Sequence, residues 1–153
     1  MLYYLSGPMS NIPQFNIPAI LSAAETLRNR GYEIQLPADL DKPESIEVLM
    51  KSPDGALHGG KTDEGRTWGQ YLADDVILVA DKIGGIIFLD GWEKSRGARL
   101  EAYVGLLTGK PMWQFNDIDK DVYLDELKPE VVAGVCAAQW VPKEILVKFG
   151  LAA

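Results

Sequence analysis

Two carboxylates occupy positions where the local pattern predicts apolar side chains. Asp75 lies seven residues after Trp68, on the apolar stripe of a predicted helix. In the next predicted helix, Glu101 is the only acidic residue between Glu93 and Asp117. Because burying an unpaired carboxylate costs free energy, such a group must be paired, protonated or placed in a cleft. Both residues are therefore candidates for acid–base or nucleophilic chemistry.

These candidate residues also have ordinary structural explanations. Asp75 could pair with Arg66, and Glu101 could lie on the solvated side of its helix. Tyr4, near the carboxyl end of the predicted first strand, could be a core aromatic residue. Trp92 could stack on a base or simply anchor a loop. The residues alone leave these alternatives open. Two carboxylates at apolar positions, on helices expected to border the same ligand crevice, nevertheless favour a functional site.

Cysteine and histidine usage limits the available chemistry. The 153 residues predict one compact domain that needs no cross-link to form a core. The single cysteine, Cys136, excludes an intramolecular disulfide and a cysteine-cluster metal site. The single histidine, His58, excludes a histidine-rich zinc site, and in its glycine-rich loop it is predicted to be a surface residue. We therefore expect no metal or organic cofactor.

The charge balance bears on partners and compartment. With 15 basic and 22 acidic residues the net charge is -7, which disfavours binding to a nucleic acid polymer. Small anionic ligands remain possible, because Lys94, Arg96 and Arg99 form a local basic cluster. No apolar run approaches the roughly 20 residues needed to cross a bilayer. The N-terminal sequence MLYYLSGP has no basic segment of a signal peptide, so a cytoplasmic protein without membrane association is expected.

Hydrophobic periodicity predicts strands that alternate with helices. Asn16, Thr67 and Ser95 are the predicted N-caps of three of these helices. In chain order the predicted elements are strand 1–6, helix 17–30, strand 32–36, a short helix around 44–51, a helix from 67, strand 82–89, helix 96–108, strand 112–115, and helical segments around 129–138 and 142–149. The aperiodic segment 38–66 is long enough to be a lid, a binding loop or disordered.

Such alternation predicts a single-domain α/β fold with a doubly wound parallel sheet of four to five strands, Rossmann-like and of the flavodoxin type. Residues 1–115 would form this domain, and 116–153, a polar turn followed by helices, would pack on it as a helical extension. Ligands of such sheets bind beyond the carboxyl ends of the strands, where strand order reverses. Ser6-Gly7-Pro8 and Asp90-Gly91-Trp92 would face that crevice, which favours a nucleotide-sized ligand.

Ser95 adds a third signal at the start of the Glu101 helix. As an N-cap after a buried strand it would leave backbone N–H groups facing the crevice, which is a natural seat for a phosphate. Glu101 lies six residues further, about 9 Å along the helix axis. That separation suits a ligand with a phosphate at one end and a reactive carbon about one sugar away. The alternative is that Ser95 is a plain helix cap.

The order and spacing of these residues resemble a known family. The matching features are YLSGPM at 4–9, Asp75 on a helix, Gly91-Trp92, Ser95-x-Gly97-Ala98-x-x-Glu101, and Gly109-Lys110-Pro111. Over roughly residues 1–115 the chain resembles the nucleoside 2-deoxyribosyltransferase superfamily, and most of all its small, phage-type members. The resemblance implies that Glu101 is the nucleophile at the anomeric carbon, that Asp75 protonates or orients the leaving base, and that Tyr4 positions the nucleophile.

Position 95 bears on the branch of that superfamily. The transferases have an aspartate six residues before the nucleophile, whereas Ser95 resembles the nucleotide N-hydrolase branch, which cleaves 2'-deoxynucleoside 5'-monophosphates to base and deoxyribose 5-phosphate. Arg96 and Arg99 would add favourable charge, although the loop 9–15 departs from the arginine- and glycine-rich loop of that branch. The implied substrate- or phosphate-binding residues are Ser6, Gly7, Pro8, Met9, Asn16, Gly91, Trp92, Ser95, Gly97 and Arg99.

Two other functions remain open at this point. One is a deoxyribosyltransferase that exchanges bases, and the other is a non-catalytic protein that binds or sequesters a nucleotide. The resemblance also implies a homo-oligomer, a dimer or larger, in which a neighbouring subunit completes the site. The apolar segment Val131–Ala138 could serve such an interface or pack within the subunit.

Overall fold

The computed structural model describes residues 1–37, 40, 42–61, 65–138 and 143–150. Their strands are β1 (Leu2–Ser6), β2 (Glu33–Gln35), β3 (Gly85–Phe88), β4 (Met112–Ile118) and β5 (Asp121–Leu127). Their helices are α1 (Ile17–Asn29), α2 (Pro43–Met50), α3 (Trp68–Ile77), α4 (Arg96–Leu107), α5 (Pro129–Ala138) and α6 (Lys143–Lys148). In the described part of the chain, every helix is too short or too polar to cross a membrane.

The sheet has the order β2-β1-β3-β4-β5, in which the first four strands are parallel and β5 is antiparallel. This is a Rossmann-like, doubly wound α/β fold, so the predicted fold class is confirmed. Strand order reverses between β1 and β3, where Ser6 is in register with Phe88. The carboxyl ends of these two strands therefore border the crevice in which ligands of such folds bind.

Each face of the sheet is covered by its own apolar core, because successive side chains of a strand point to opposite faces. Leu5 and Ile87 pack with α1 and α2 on one face. Tyr4 and Phe88 pack with α4 and α5 on the other. The glutamate helix α4 therefore lies on the face of β1 to which Tyr4 points.

The segment after β4 differs from the prediction. The sequence predicts a polar turn between strand 112–115 and the helix around 129–138, but β4 continues to Ile118 and β5 pairs with it in an antiparallel hairpin. Asp119 and Lys120 both have positive φ, which matches a two-residue hairpin turn. Alternation in β5 buries Val122 and packs Leu124 against the sheet core, while the acidic residues on either side of this pair conceal the strand pattern.

The predicted boundary between α3 and β3 is also wrong. The predicted strand 82–89 is shortened to β3, because residues Leu78–Lys82 continue α3 as a π-helical turn. Val79 within that turn is fully buried, so the apolar stripe of α3 extends past the end of the regular helix.

Helix α5 packs within the subunit through one face only. Val132 and Cys136 are buried against α4, whereas Val131 is exposed. Burial raises the pKa of the Cys136 thiol. Of the two roles expected for Val131–Ala138, intramolecular packing is thus confirmed for one side of the helix.

The predicted aperiodic segment 38–66 contains α2 and a loop from 51 to 61 that is attached to the N-terminal loop. The Asn11 N–H donates to the Gly55 carbonyl at 2.9 Å, and the Gln14 N–H donates to the Ser52 carbonyl at 2.8 Å. Gly55 has φ +67, and a Cβ there would lie 2.0 Å from the Ile12 carbonyl oxygen. The two loops can approach this closely only with glycine at 55. Positions 38, 39, 41 and 62–64 lie outside the described residues.

This contact predicts that Gly55→Ala destabilises the protein more than Gly59→Ala. Gly59 also has a left-handed backbone, with φ +79, but a Cβ there would contact nothing within 4 Å. Both substitutions place an alanine in a left-handed backbone conformation, which costs about 1–2 kcal/mol. Gly55→Ala adds a steric cost of about 1–3 kcal/mol, because its Cβ would overlap the Ile12 carbonyl. Urea denaturation of both variants measures the difference. Equal free energies of unfolding would show that the two loops are not held together at Gly55.

Candidate active site

The Glu101 carboxylate lies at the contact between α4 and β1. It is 5% exposed, and each of its oxygens accepts a hydrogen bond. The Tyr4 hydroxyl donates to Oε1 at 2.9 Å, and the Ser6 hydroxyl donates to Oε2. Tyr4 and Ser6 are two residues apart on a strand and so share one face, which is why both reach the same carboxylate.

These hydrogen bonds fix the carboxylate and offset the cost of burying it. A hydrogen bond to a charged group contributes about 1.5–3 kcal/mol. The predicted contact between Tyr4 and Glu101 is confirmed, and Tyr4 is both a core aromatic residue and a hydrogen-bond donor. Ser6, predicted as a substrate-binding residue, donates its hydroxyl to Glu101 and is not among the residues that line the cavity.

Asp75 is the only buried residue of helix α3, at 8% exposure. Within α3 the apolar residues of the stripe, Trp68, Tyr71, Leu72 and Val76, are partly exposed, and Trp68 is 43% exposed. Arg66, the residue considered as a partner for Asp75, forms an ion pair with the neighbouring Asp74. The Thr67 hydroxyl caps α3 in a capping box with Gln70, as the sequence predicts, and this fixes where the helix begins.

Asp75 and Glu101 line one cavity of about 300 Å³ beside the carboxyl end of β1. This volume is at the lower end of the range for small-molecule sites, and a mononucleotide is a ligand of that class. The cavity is lined by Gly7, Met9, Ser10, Asn11 and Phe15 after β1, by Pro37, Leu49, Gly55, Ala56, Leu57 and Gly60, by Trp68, Tyr71, Leu72 and Asp75 of α3, and by Ser95–Ala98 and Glu101 of α4. The segment 49–60 thus supplies one wall, which fits the predicted binding loop.

Ser95 caps α4 and lines the cavity. Its Oγ accepts a hydrogen bond from the Ala98 N–H at 3.3 Å, which confirms the predicted N-cap. Arg96 and Gly97 are the first two residues of the helix, and N–H groups at those positions have no partner within a helix. A Cβ at Gly97 would meet nothing within 4 Å, so the backbone there is open to a ligand.

Of the predicted binding residues, Gly7, Met9, Ser95 and Gly97 line the cavity, whereas Pro8, Asn16, Gly91, Trp92 and Arg99 do not. Trp92 is 1% exposed, stacks on Phe88 with ring centroids 4.5 Å apart, and donates from Nε1 to Gln114 at 3.1 Å. It anchors a loop, which is one of the two roles considered. The Arg99 guanidinium donates to the Glu93 carbonyl at 3.0 Å and does not line the cavity, and its role at the phosphate stays a prediction.

Asn16 and Gly91 both lie close to Pro8. The predicted cap by Asn16 is wrong, because its backbone is left-handed, with φ 58, and its side chain makes no cap hydrogen bond. Its Nδ2 instead donates to the Pro8 carbonyl at 2.9 Å. Gly91 has φ +83, and a Cβ there would lie 3.5 Å from the Pro8 ring. These residues shape the loop that carries Gly7 and Met9.

Several cavity residues were not predicted to bind a ligand. Phe15, Leu49, Leu57, Trp68, Tyr71 and Leu72 are apolar or aromatic, and in the sequence they are indistinguishable from core residues. Phe15 follows Gln14 and precedes Asn16 in a run of three residues with left-handed φ, at 56, 52 and 58 degrees. Because this conformation is costly for residues other than glycine, the fold must hold the run in place.

His58 lies on the outer side of the cavity wall. Its side chain is 75% exposed, as predicted, and Nε2 lies 2.8 Å from Asp54 Oδ2. Hydrogen bonds from the Ala56 N–H and His58 hold the pKa of Asp54 below its ordinary value. Within the residues that the structure describes, no group of three or more His, Cys, Asp or Glu side chains could hold a metal ion.

The hydrogen bond from Tyr4 predicts the effect of Tyr4→Phe on stability. This change leaves a buried carboxylate oxygen with one donor fewer and should lower the free energy of unfolding by about 1–3 kcal/mol. Tyr123→Phe is the matched control, because Tyr123 is 39% exposed on β5. Thermal and urea denaturation measure both variants. If the two variants are equally stable, the Tyr4 hydroxyl does not support Glu101.

Comparison with protein families places the chain in one of them. Residues 1–114 match the model of a domain of unknown function, DUF4406, so the chain belongs to that family. No curated protein matches the sequence. The matched segment runs from β1 into β4 and includes all residues of the candidate site.

Proposed function

We propose that this DUF4406 protein is an N-glycosidase that hydrolyses a 2'-deoxynucleoside or nucleoside 5'-monophosphate to free base and (deoxy)ribose 5-phosphate. The main support is the buried Glu101 carboxylate, which accepts hydrogen bonds from two hydroxyl groups. It lines a cavity of about 300 Å³ at the edge of the sheet where strand order reverses between β1 and β3. A carboxylate so fixed is suited to attack at an electrophilic carbon, because its orientation is set before the ligand arrives. The resemblance to the deoxyribosyltransferase superfamily suggests that this carbon is the anomeric one.

In the first proposed step, a Glu101 oxygen attacks C1' of the sugar as the C1'–N bond breaks. The electron pair of that bond passes to the base nitrogen, and Asp75, in its protonated form, donates a proton to the departing base. The products of this step are the free base and a glycosyl ester on Glu101. Asp75 is a suitable acid because it lines the same cavity and is the buried residue of α3.

In the second step, a water molecule attacks C1' and transfers a proton to Asp75. The bond between C1' and Glu101 breaks, and its electron pair returns to the carboxylate. The hydroxyls of Tyr4 and Ser6 already face the two carboxylate oxygens and would stabilise the charge that is regenerated. The sugar phosphate then leaves.

The start of α4 supports a phosphorylated substrate. Ser95 stands where the transferases have an aspartate, and a carboxylate there would repel a phosphate. The first N–H groups of α4 are suited to an anion, and the backbone at Gly97 is open to the cavity. For these reasons we favour hydrolysis of a nucleotide over exchange of bases on a nucleoside.

A self-assembled form is the further expectation from the resemblance. Ile77 of α3, Leu107 of α4 and Val131 of α5 expose 50%, 68% and 53% of their surface, which is consistent with contacts between copies of the chain. Light scattering coupled to size-exclusion chromatography measures the oligomeric state.

The proposed roles predict how two carboxylate variants behave. Glu101→Gln should lower base release by about 10³-fold or more, because the amide is no nucleophile. Asp75→Asn should lower it by about 10²- to 10⁴-fold through loss of proton transfer. The matched control is Asp74→Asn, which removes a surface ion pair with Arg66 and should leave the rate within about twofold. Chromatography of deoxynucleoside monophosphates and deoxynucleosides incubated with each variant measures these rates.

Three outcomes separate the proposal from its alternatives. If Glu101→Gln releases base as fast as the wild type, the proposed mechanism is wrong. If a second free base added to the reaction yields a new nucleotide or nucleoside, the protein is a transferase. Tight binding of nucleotides that stay intact would indicate a binding protein. A 2'-fluorinated substrate, which slows the second step, should leave a sugar phosphate on Glu101 that peptide mass spectrometry detects.

A further inference from the structure

The lining of the candidate site contains more acidic than basic side chains, which disfavours a phosphorylated ligand. The charged side chains among the described residues that line the cavity are Asp75, Glu101 and Arg96. The whole chain carries a net charge of -7. A phosphate dianion would therefore meet the Glu101 carboxylate and the acidic Asp75 side chain, and Arg96 is the described basic residue of the lining that attracts it.

Arg96 differs from its basic neighbours in its contacts. Arg66 forms an ion pair with Asp74, and the Arg99 guanidinium donates to a backbone carbonyl. Lys94 is exposed and is not among the lining residues. In the described part of the chain, the Arg96 guanidinium makes neither a hydrogen bond nor an ion pair.

Trp68 holds this guanidinium at the cavity. The Arg96 Cζ lies 5.6 Å from the centroid of the Trp68 ring, in a cation–π contact. Trp68 is the first residue of α3 and Arg96 the first of α4, and both line the cavity while remaining exposed. A cation–π contact restricts the side chain but uses none of its five N–H donors, so they remain available to phosphate oxygens.

Resting on the proposed function, we infer that Arg96 binds the 5'-phosphate of the substrate and sets the preference for nucleotides over nucleosides. Arg96 precedes Glu101 by five residues, about 7.5 Å along the axis of α4. This separation leaves room for a sugar between the phosphate and the attacking carboxylate. The planar guanidinium matches two phosphate oxygens at once, as a lysine does not.

The test compares phosphorylated and unphosphorylated substrates in the same variants. Arg96→Gln should lower the ratio of kcat/KM for a deoxynucleoside monophosphate to kcat/KM for the matching deoxynucleoside about tenfold, mainly through KM. Arg96→Lys should recover only part of that ratio, since it restores the charge but not the paired donors. Lys94→Gln, which removes a nearby cation that does not line the cavity, should leave the ratio at the wild-type value. All four monophosphates and their nucleosides are assayed by chromatography of the released base.

The outcomes distinguish failure of this inference from failure of the proposed function. If the wild type releases base but Arg96→Gln leaves the ratio unchanged, or Lys94→Gln lowers it equally, Arg96 is not the phosphate ligand. If the wild type releases no base, the hydrolase proposal fails, and calorimetry with the same monophosphates and nucleosides then decides the role of Arg96. A tenfold weaker affinity of Arg96→Gln for monophosphates alone would support it, and equal affinities or no binding to the wild type would overturn it.

Discussion

The hydrogen bonds from Tyr4 and Ser6 to Glu101 require a strand and a helix to meet at a fixed distance. That distance depends on the core between the sheet and α4, which contains Phe88, Ala98 and Ala102. Small alanine side chains at the contact let the helix approach closely enough for a hydroxyl on β1 to reach a carboxylate on α4. The buried charge is thus a product of the core that surrounds it and would be costly in any looser arrangement.

The cavity above this carboxylate is assembled from segments far apart in the chain. Its floor comes from α4, one side from α3, and the opposite wall from the loop after β1 together with residues 49–60. Backbone hydrogen bonds between 11–14 and 52–55 join the two loops of that wall, which lets the fold sustain left-handed backbone at Gln14, Phe15 and Asn16. The residues with strained backbone and the two buried carboxylates lie near the same cavity, and backbone strain is often found at binding sites.

The order of the elements as far as β4 and the identity of the central carboxylates follow from local sequence patterns. Hydrophobic periodicity is a local property, so α1, α3 and α4, with the caps at Thr67 and Ser95, could be predicted from neighbouring residues. Asp75 and Glu101 were conspicuous because each interrupts such a pattern. Strand β5 was missed for the converse reason: acidic residues obscure its alternation, and its pairing with β4 depends on a turn whose residues, Asp119 and Lys120, are weak signals for positive φ.

Which side chains reach the cavity depends on how the elements pack together. Ser6, Trp92 and Arg99 are predicted binding residues, yet they face Glu101, the core and a backbone carbonyl, because side-chain direction depends on packing as well as position. Apolar residues of the wall, such as Phe15 and Leu57, resemble core residues in the sequence, since the same side chains serve both environments. The sequence determined which groups could do chemistry, and the packing of the sheet, helices and loops decided which of them lie together.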